Sequence, residues 1–143
     1  METEDLSFQK DELPEDRSLV IVDDDRPFLQ RLARAMELRG FEVRSAHSVS
    51  EGIELIRQQA PAFAVVDMRL EDGNGLDVIA ELTKVRPDTR IIVLTGYGNI
   101  ATAVSAVKLG AIDELAKPAD ADDVTDALLA PHNAKAAPPV NPM

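Results

Sequence analysis

Apolar residues along this chain follow two alternating rhythms. Short runs rich in Val, Ile and Leu, among them Leu19-Val20-Ile21-Val22, Phe63-Ala64-Val65-Val66 and Ile91-Ile92-Val93-Leu94, predict buried strands. Between them apolar positions recur at helical spacing: Phe28, Leu32, Ala35 and Met36, then Val49, Ile53 and Ile56, then Leu76, Ile79 and Leu82. The same spacing returns in Ile100, Ala103, Val104 and Val107, and in Val124, Ala127 and Leu128. The pattern places strands near 18–22, 42–45, 62–66, 90–94 and 112–116 with a helix after each, five βα units around a parallel sheet.

Punctuation residues agree with these boundaries. Ser48 or Ser50 can cap the second helix, Asn74 the third and Asn99 the fourth. Gly40 and Gly110 stand where the first and fourth helices should end, and Pro87 closes the third.

The strand ends carry unusual polar residues. Asp23, Asp24 and Asp25 follow the first strand and Asp67 follows the third, although an unpaired charge beside a core is costly. Two carboxylates about 4 Å apart repel by roughly 4 kcal/mol at a surface-like dielectric, so such a cluster calls for a cation. In a flavodoxin-like, doubly wound sheet of strand order 2-1-3-4-5, ligands bind outside the carboxyl ends of the strands where the order reverses, between strands one and three. Thr95 with Gly96 follows strand four and Lys117 with Pro118 follows strand five, so all of these residues converge on one edge.

That set suits phosphoryl transfer to a carboxylate. Magnesium takes one or two carboxylates with waters and phosphate oxygens, and would neutralise charge on the transferred group. Asp67 can serve as the nucleophile, Lys117 as a point charge for the phosphoryl oxygens and Thr95 as a hydroxyl that turns to bond them. Taken singly, Asp23 to Asp25 read as a helix N-cap, Asp67 as a loop cap, Thr95 as a strand-end hydroxyl and Lys117 as a solvated lysine. Their joint placement, in order, argues for a site.

Composition narrows the class. At 143 residues the chain has the length of one domain, spanning 18–130. Residues 1–17 hold seven acids against two bases and read as an acidic disordered tail, whereas 131–143 reads as a Pro/Ala-rich linker. A net charge of −11 with scattered basic residues disfavours nucleic-acid binding by these residues. The absence of cysteine excludes disulfides and thiolate metal sites, and His47 and His132 read as solvated polar residues. No apolar stretch has membrane-spanning length and Met1 is followed by acids rather than by a signal-peptide pattern, so a cytoplasmic protein is expected.

On Val22-Asp23-Asp24-Asp25, Asp67 with Met68 to Gly75, Thr95-Gly96 and Lys117-Pro118, the chain resembles the receiver domain of bacterial two-component response regulators from Ser18 to about Ala130. The resemblance implies that a sensor histidine kinase phosphorylates Asp67. It also implies that Asp24, Asp67 and the backbone carbonyl of Arg69 bind Mg2+ directly, with Asp23 acting through water. Lys117 would contact the phosphoryl group, and the Lys117–Pro118 bond would be cis. Such a domain is no enzyme beyond its own phosphorylation and dephosphorylation. It signals through the surface of the fourth helix, fifth strand and fifth helix, here including Val104, Lys108, Glu114 and Asp123 to Leu128, and pairs there as a homodimer.

A narrower likeness lies in Asp67-Met68-Arg69-Leu70-Glu71-Asp72-Gly73-Asn74-Gly75-Leu76 and in Lys117-Pro118-Ala119-Asp120-Ala121-Asp122-Asp123, which are similar to RegA/PrrA/ActR-type regulators of alphaproteobacteria. Those control redox-linked gene expression, and in them a Pro-rich linker leads to a helix-turn-helix DNA-binding domain. By that likeness this chain ends inside the linker. Two positions depart from most receivers: Glu114 stands where Tyr or Phe is usual, three residues before the lysine, and Glu71 where many relatives carry proline. Two other readings remain. One is a haloacid-dehalogenase-type phosphatase with Asp23 as nucleophile, which Pro27 in its motif and an unused Asp67 disfavour; the other is a stand-alone receiver without a DNA-binding output.

Overall fold

A computed structural model describes residues 14–96, 107–117 and 119–130. In chain order its elements are β1 (Ser18–Val22), α1 (Arg26–Leu38), β2 (Glu42–Ala46), α2 (Val49–Gln58), β3 (Phe63–Asp67), β4 (Arg69–Leu70), β5 (Gly73–Asn74), α3 (Gly75–Val85), β6 (Arg90–Thr95), β7 (Asp113–Ala116) and α4 (Ala121–Leu129). Residues 107–109 are helical and end the helix expected before Gly110. Asn99, Ile100, Ala103 and Val104, assigned to that helix from sequence, lie outside the described residues.

Five strands pair in parallel in the order β2-β1-β3-β6-β7. With the separate hairpin β4-β5 set aside, this is the expected 2-1-3-4-5. Side chains of a strand alternate between faces, and both faces of this sheet are covered. Val20, Val22, Ala64, Val66, Ile91 and Val93 pack with Ile56 of α2 and Val78, Ile79 and Leu82 of α3. Leu19, Ile21, Phe63, Val65, Ile92 and Leu94 pack with Phe28, Leu29, Leu32 and Met36 of α1 and Val124 and Leu128 of α4. Double coverage explains why β1 and β3 read as unbroken apolar runs. The edge strands β2 and β7 carry charged residues instead, which blunts the exposed pairing edges.

The caps account for most element boundaries. Asp25 caps α1 by accepting from the Phe28 amide at 3.1 Å, and Ser48, rather than Ser50, caps α2. Asn74 caps α3, accepting from the Leu76 amide at 2.8 Å. Gly40 follows α1 with φ of 101°, a left-handed conformation that glycine tolerates best. Asp16 and Arg17, which composition assigned to the tail, hold the domain: Asp16 accepts from both the Ser18 amide and hydroxyl, and the Arg17 carbonyl accepts from the Glu42 amide.

The hairpin β4-β5 was not foreseen. Arg69 pairs with Asn74 and Leu70 with Gly73, two residues on each side, too short to leave any periodicity.

Candidate functional site

The parallel register sets Val22 of β1 opposite Val66 of β3, so the residues after these two strands meet at the reversal of strand order. Carboxylate oxygens of Asp23, Asp24 and Asp67 lie within 4.8 Å of one another there. Asp23 is fully buried and Asp67 is 5% exposed, whereas Asp24 is half-buried. The three consecutive acids therefore divide their work. Asp25 caps α1 and gives its own amide to Asp23 Oδ1 at 2.9 Å, leaving Asp23 and Asp24 to the cluster.

Lys117 arrives from the end of β7, held by its amide's bond to the Thr95 carbonyl at 2.8 Å. Its Nζ stands 3.1 Å from Asp23 Oδ2 and 3.4 Å from Asp67 Oδ2, and 5.0 Å from the centre of the Phe28 ring. Thr95 ends β6 on the same edge, half-buried beside β7. Glu114 is exposed on β7, three residues before Lys117, with its amide bonded to Asp113. Pro118 lies outside the described residues, and so does the expected cis bond.

The electrostatics are incompletely balanced. Three carboxylates face one ammonium: Lys117 Nζ donates to Asp23 Oδ1 and to Asp67 Oδ2 at 3.4 Å each and stands 3.1 Å from Asp23 Oδ2 as an ion pair. Burial pushes the Asp23 carboxyl up to about 6; the charge of Asp67 adds to the rise, while the Asp25 amide and Lys117 oppose it. Burial pulls the Lys117 ammonium down, but Asp23 and Asp67 outweigh it, so the net shift is upward. Lys117 thus stays charged between carboxylates it only partly neutralises.

A hard divalent cation fits this donor set. All the groups offered are oxygens, and the negative charge of three carboxylates exceeds what the one ammonium of Lys117 compensates.

The loop behind Asp67 is tightly placed. Gly75 opens α3 with its amide bonded to the Met68 carbonyl at 3.0 Å, and a Cβ there would stand 2.6 Å from the Asp67 carbonyl oxygen. Only glycine lets α3 begin this close to the strand end. From sequence Gly75 figured only inside a matching loop segment; its signal was a glycine at a helix start, where a stronger cap preceded it. His47 lies half-buried after β2, between Arg26 and Glu51, and takes no part in the cluster.

Known proteins carry the same arrangement of sequence and fold. Residues 19–129 match the model of the response regulator receiver domain. The photosynthetic apparatus regulatory protein RegA of Cereibacter sphaeroides is 62% identical over 140 residues, which cover 98% of this chain and 74% of that protein. The acid tolerance regulatory protein ActR of Rhizobium meliloti is 62% identical over 128 residues, 90% of this chain and 66% of that one. A crystal structure of a response regulator protein from Burkholderia pseudomallei, with a phosphorylated aspartic acid, calcium ion and citrate, superposes with a TM-score of 0.77 at 43% identity. It covers 83% of this chain and 70% of its own.

Proposed function

Because this chain belongs to the response regulator receiver family, we propose that Asp67 is its phospho-acceptor and that the residues gathered around it serve that one transfer. The observation that carries this reading is the cluster of Asp23, Asp24 and Asp67 with a single ammonium between two of them. An Asp67 oxygen attacks the phosphorus of a phosphohistidine on a sensor histidine kinase, or of a small donor such as acetyl phosphate. The new O–P bond forms as the P–N or P–O bond to the leaving group breaks, and imidazole or acetate departs with the bonding pair. Asp24, Asp67 and the Arg69 carbonyl, with Asp23 through water, would hold Mg2+, which when bound supplies positive charge to the phosphoryl oxygens.

This chain's own groups do the rest. Lys117 places its ammonium against the incoming phosphoryl group, and the Thr95 hydroxyl turns to donate to one of its oxygens. Water attack on phosphorus later releases phosphate and restores the carboxylate, so the turnover concerns only the domain's own modification. The phosphatase alternative would need Asp23 as nucleophile and leave Asp67 unused, and the match of residues 19–129 to the receiver family does not favour it.

The likeness to RegA and ActR supports an output in redox-linked transcription. Residues 131–143 then form a linker to a helix-turn-helix domain that binds DNA, and the protein works in the cytoplasm. The surface around Lys108, Glu114 and α4 forms the switch face and pairs two copies after phosphorylation. Burying an ionised Glu114 beside Thr95 would cost several kcal/mol without a partner, so Glu114 stays outside in both states.

Intact mass after incubation with acetyl phosphate and magnesium tests the reading. The wild type gains one phosphoryl group that hydroxylamine removes, and Asp67→Asn gains none. Equal labelling of Asp67→Asn with loss of labelling in Asp23→Asn would overturn it.

A further inference from the structure

The segment from Met68 to Asn74 leaves β3 at Asp67 and re-enters the fold at Gly75, and it is clamped at both ends. At its base, the close approach of Gly75 to the Asp67 carbonyl fixes where α3 begins. At its tip, Asp72 reaches α2, 23 residues away in sequence: Oδ1 accepts from the Val49 amide at 2.8 Å. Its Oδ2 accepts from the Ser50 amide at 3.1 Å and from the Ser50 hydroxyl at 2.9 Å.

The first four amides of a helix lack intrahelical partners. Here Asp72 takes those of Val49 and Ser50 and the Ser48 hydroxyl takes that of Glu51 at 3.1 Å, after which the regular ladder begins with the Gly52 amide on the Ser48 carbonyl at 3.0 Å. Backbone packing follows the same line, since a Cβ on Gly73 would stand 3.2 Å from Val49 Cγ2. Bonds from the Val49 and Ser50 amides hold the Asp72 carboxyl below the usual carboxylate range, so it is ionised at neutral pH.

Arg69 lies between the two clamps. Its amide donates to Asp67 Oδ1 at 3.3 Å, and it pairs with Asn74 across the hairpin. The orientation of the Arg69 peptide is therefore set by the hairpin as a whole.

We propose that Asp72 is a positioning residue for the cation site: by stapling the β4-β5 hairpin to the start of α2 it holds the Arg69 carbonyl in place beside Asp67. The inference rests on the assignment of Arg69 and Asp67 given above. Mg2+ demands near-ideal octahedral geometry at short range, so a small displacement of one oxygen ligand weakens the whole site. Asp72 touches neither cation nor phosphoryl group and acts through the backbone of 69–74.

Magnesium titration of the full chain, followed by the amide resonances of Met68 and Arg69, separates this role from simple helix capping. Asp72→Ala should raise the magnesium dissociation constant about tenfold, as loss of an outer-shell partner does. Asp72→Asn, which keeps one acceptor oxygen, should fall between it and the wild type. A lowered thermal midpoint in metal-free protein with an unchanged magnesium constant would show a cap and nothing more, overturning the proposal. Should Asp72→Ala fail to fold, an unchanged constant in Asp72→Asn overturns it equally. A wild type that binds no magnesium would instead bring down the cation assignment itself, and this inference with it.

Discussion

At the amino end of the strands Asp16 has a full set of partners: the Ser18 amide and hydroxyl at 3.1 and 2.6 Å, and Arg86 at 3.0 Å. At the carboxyl end Asp23 shares one ammonium with Asp67, and the third carboxylate, Asp24, stands beside them. The contrast extends to the neighbours. Arg90 donates to the carbonyls of Leu128 and Ala130 and so closes α4, and the Thr89 hydroxyl donates to the Pro61 carbonyl at 2.8 Å. Polar residues at one end complete the fold, whereas those at the other are gathered at the fold's expense. Their carboxyl pKa values shift in opposite directions, Asp16 downward through its bonds to Ser18 and Asp23 upward through burial.

Breaking the amino end should therefore cost stability outright. The Ser18 hydroxyl is buried, donates to Asp16 and accepts from the Ala62 amide at 2.9 Å. In Ser18→Ala that amide loses its acceptor inside the protein, a loss of about 2 kcal/mol. Urea denaturation of metal-free protein measures it. An unchanged midpoint would mean that the amino-end network is decorative and the contrast between the ends is false.

Relieving the carboxyl end should have the opposite sign. Asp23 has a folded pKa of about 6, above its ordinary value of 3.8, so between these values the folded state binds more protons than the unfolded one. Stability then falls as pH rises from about 4 to 6, and it is regained on acidification through that window. Metal-free protein should melt at a higher temperature at pH 5 than at pH 7. Asp16 does not mask the effect, because its lowered pKa confines its own loss of stability to pH values below its ordinary 3.8. In Asp23→Asn the difference between pH 5 and pH 7 should shrink, and the pH 7 midpoint should rise by the equivalent of about 1 kcal/mol, the desolvation no longer being imposed on a charge. A wild type more stable at pH 7 than at pH 5 would show that Lys117 already neutralises the cluster.

The same contrast governs what could be read from the chain. β1, β3 and β6 were legible because burial on both faces leaves continuous apolar runs, and the helices because a stripe at 3.6-residue spacing faces the sheet. The convergence of Asp23, Asp67, Thr95 and Lys117 was legible because parallel topology sends every strand end to one edge. The division of labour among Asp23, Asp24 and Asp25 was not, since adjacent acids look alike until a helix start selects one as its cap. Asp72 and Ser18 escaped notice for a related reason. Their partners, Val49, Ser50 and Ala62, are 22 to 44 residues distant, and no local pattern marks such bonds. The hairpin that carries Asp72 has strands of two residues, below the length at which alternation can be counted.

The sharpest form of the contrast is a residue whose loss leaves the fold intact and removes only the ligand. Asp24 fits that description: it is half-buried, contributes an oxygen to the cluster and, among the described residues, its carboxylate accepts no hydrogen bond. A ligand that binds only the folded state raises the thermal midpoint by mass action, so magnesium should stabilise the wild type in proportion to its occupancy. Asp24→Ala deletes a proposed direct ligand and also one of three neighbouring carboxylate charges. The two effects separate by condition: without metal the variant should match or slightly exceed the wild type, by less than about 1 kcal/mol for a partly exposed charge. With magnesium it should gain nothing. Calorimetric melts with and without the ion give both numbers on one sample, with calcium as a second oxygen-seeking cation. An undiminished magnesium shift in Asp24→Ala would place the cation elsewhere, whereas a loss of stability without metal would mean that Asp24 belongs to the fold as Asp16 does.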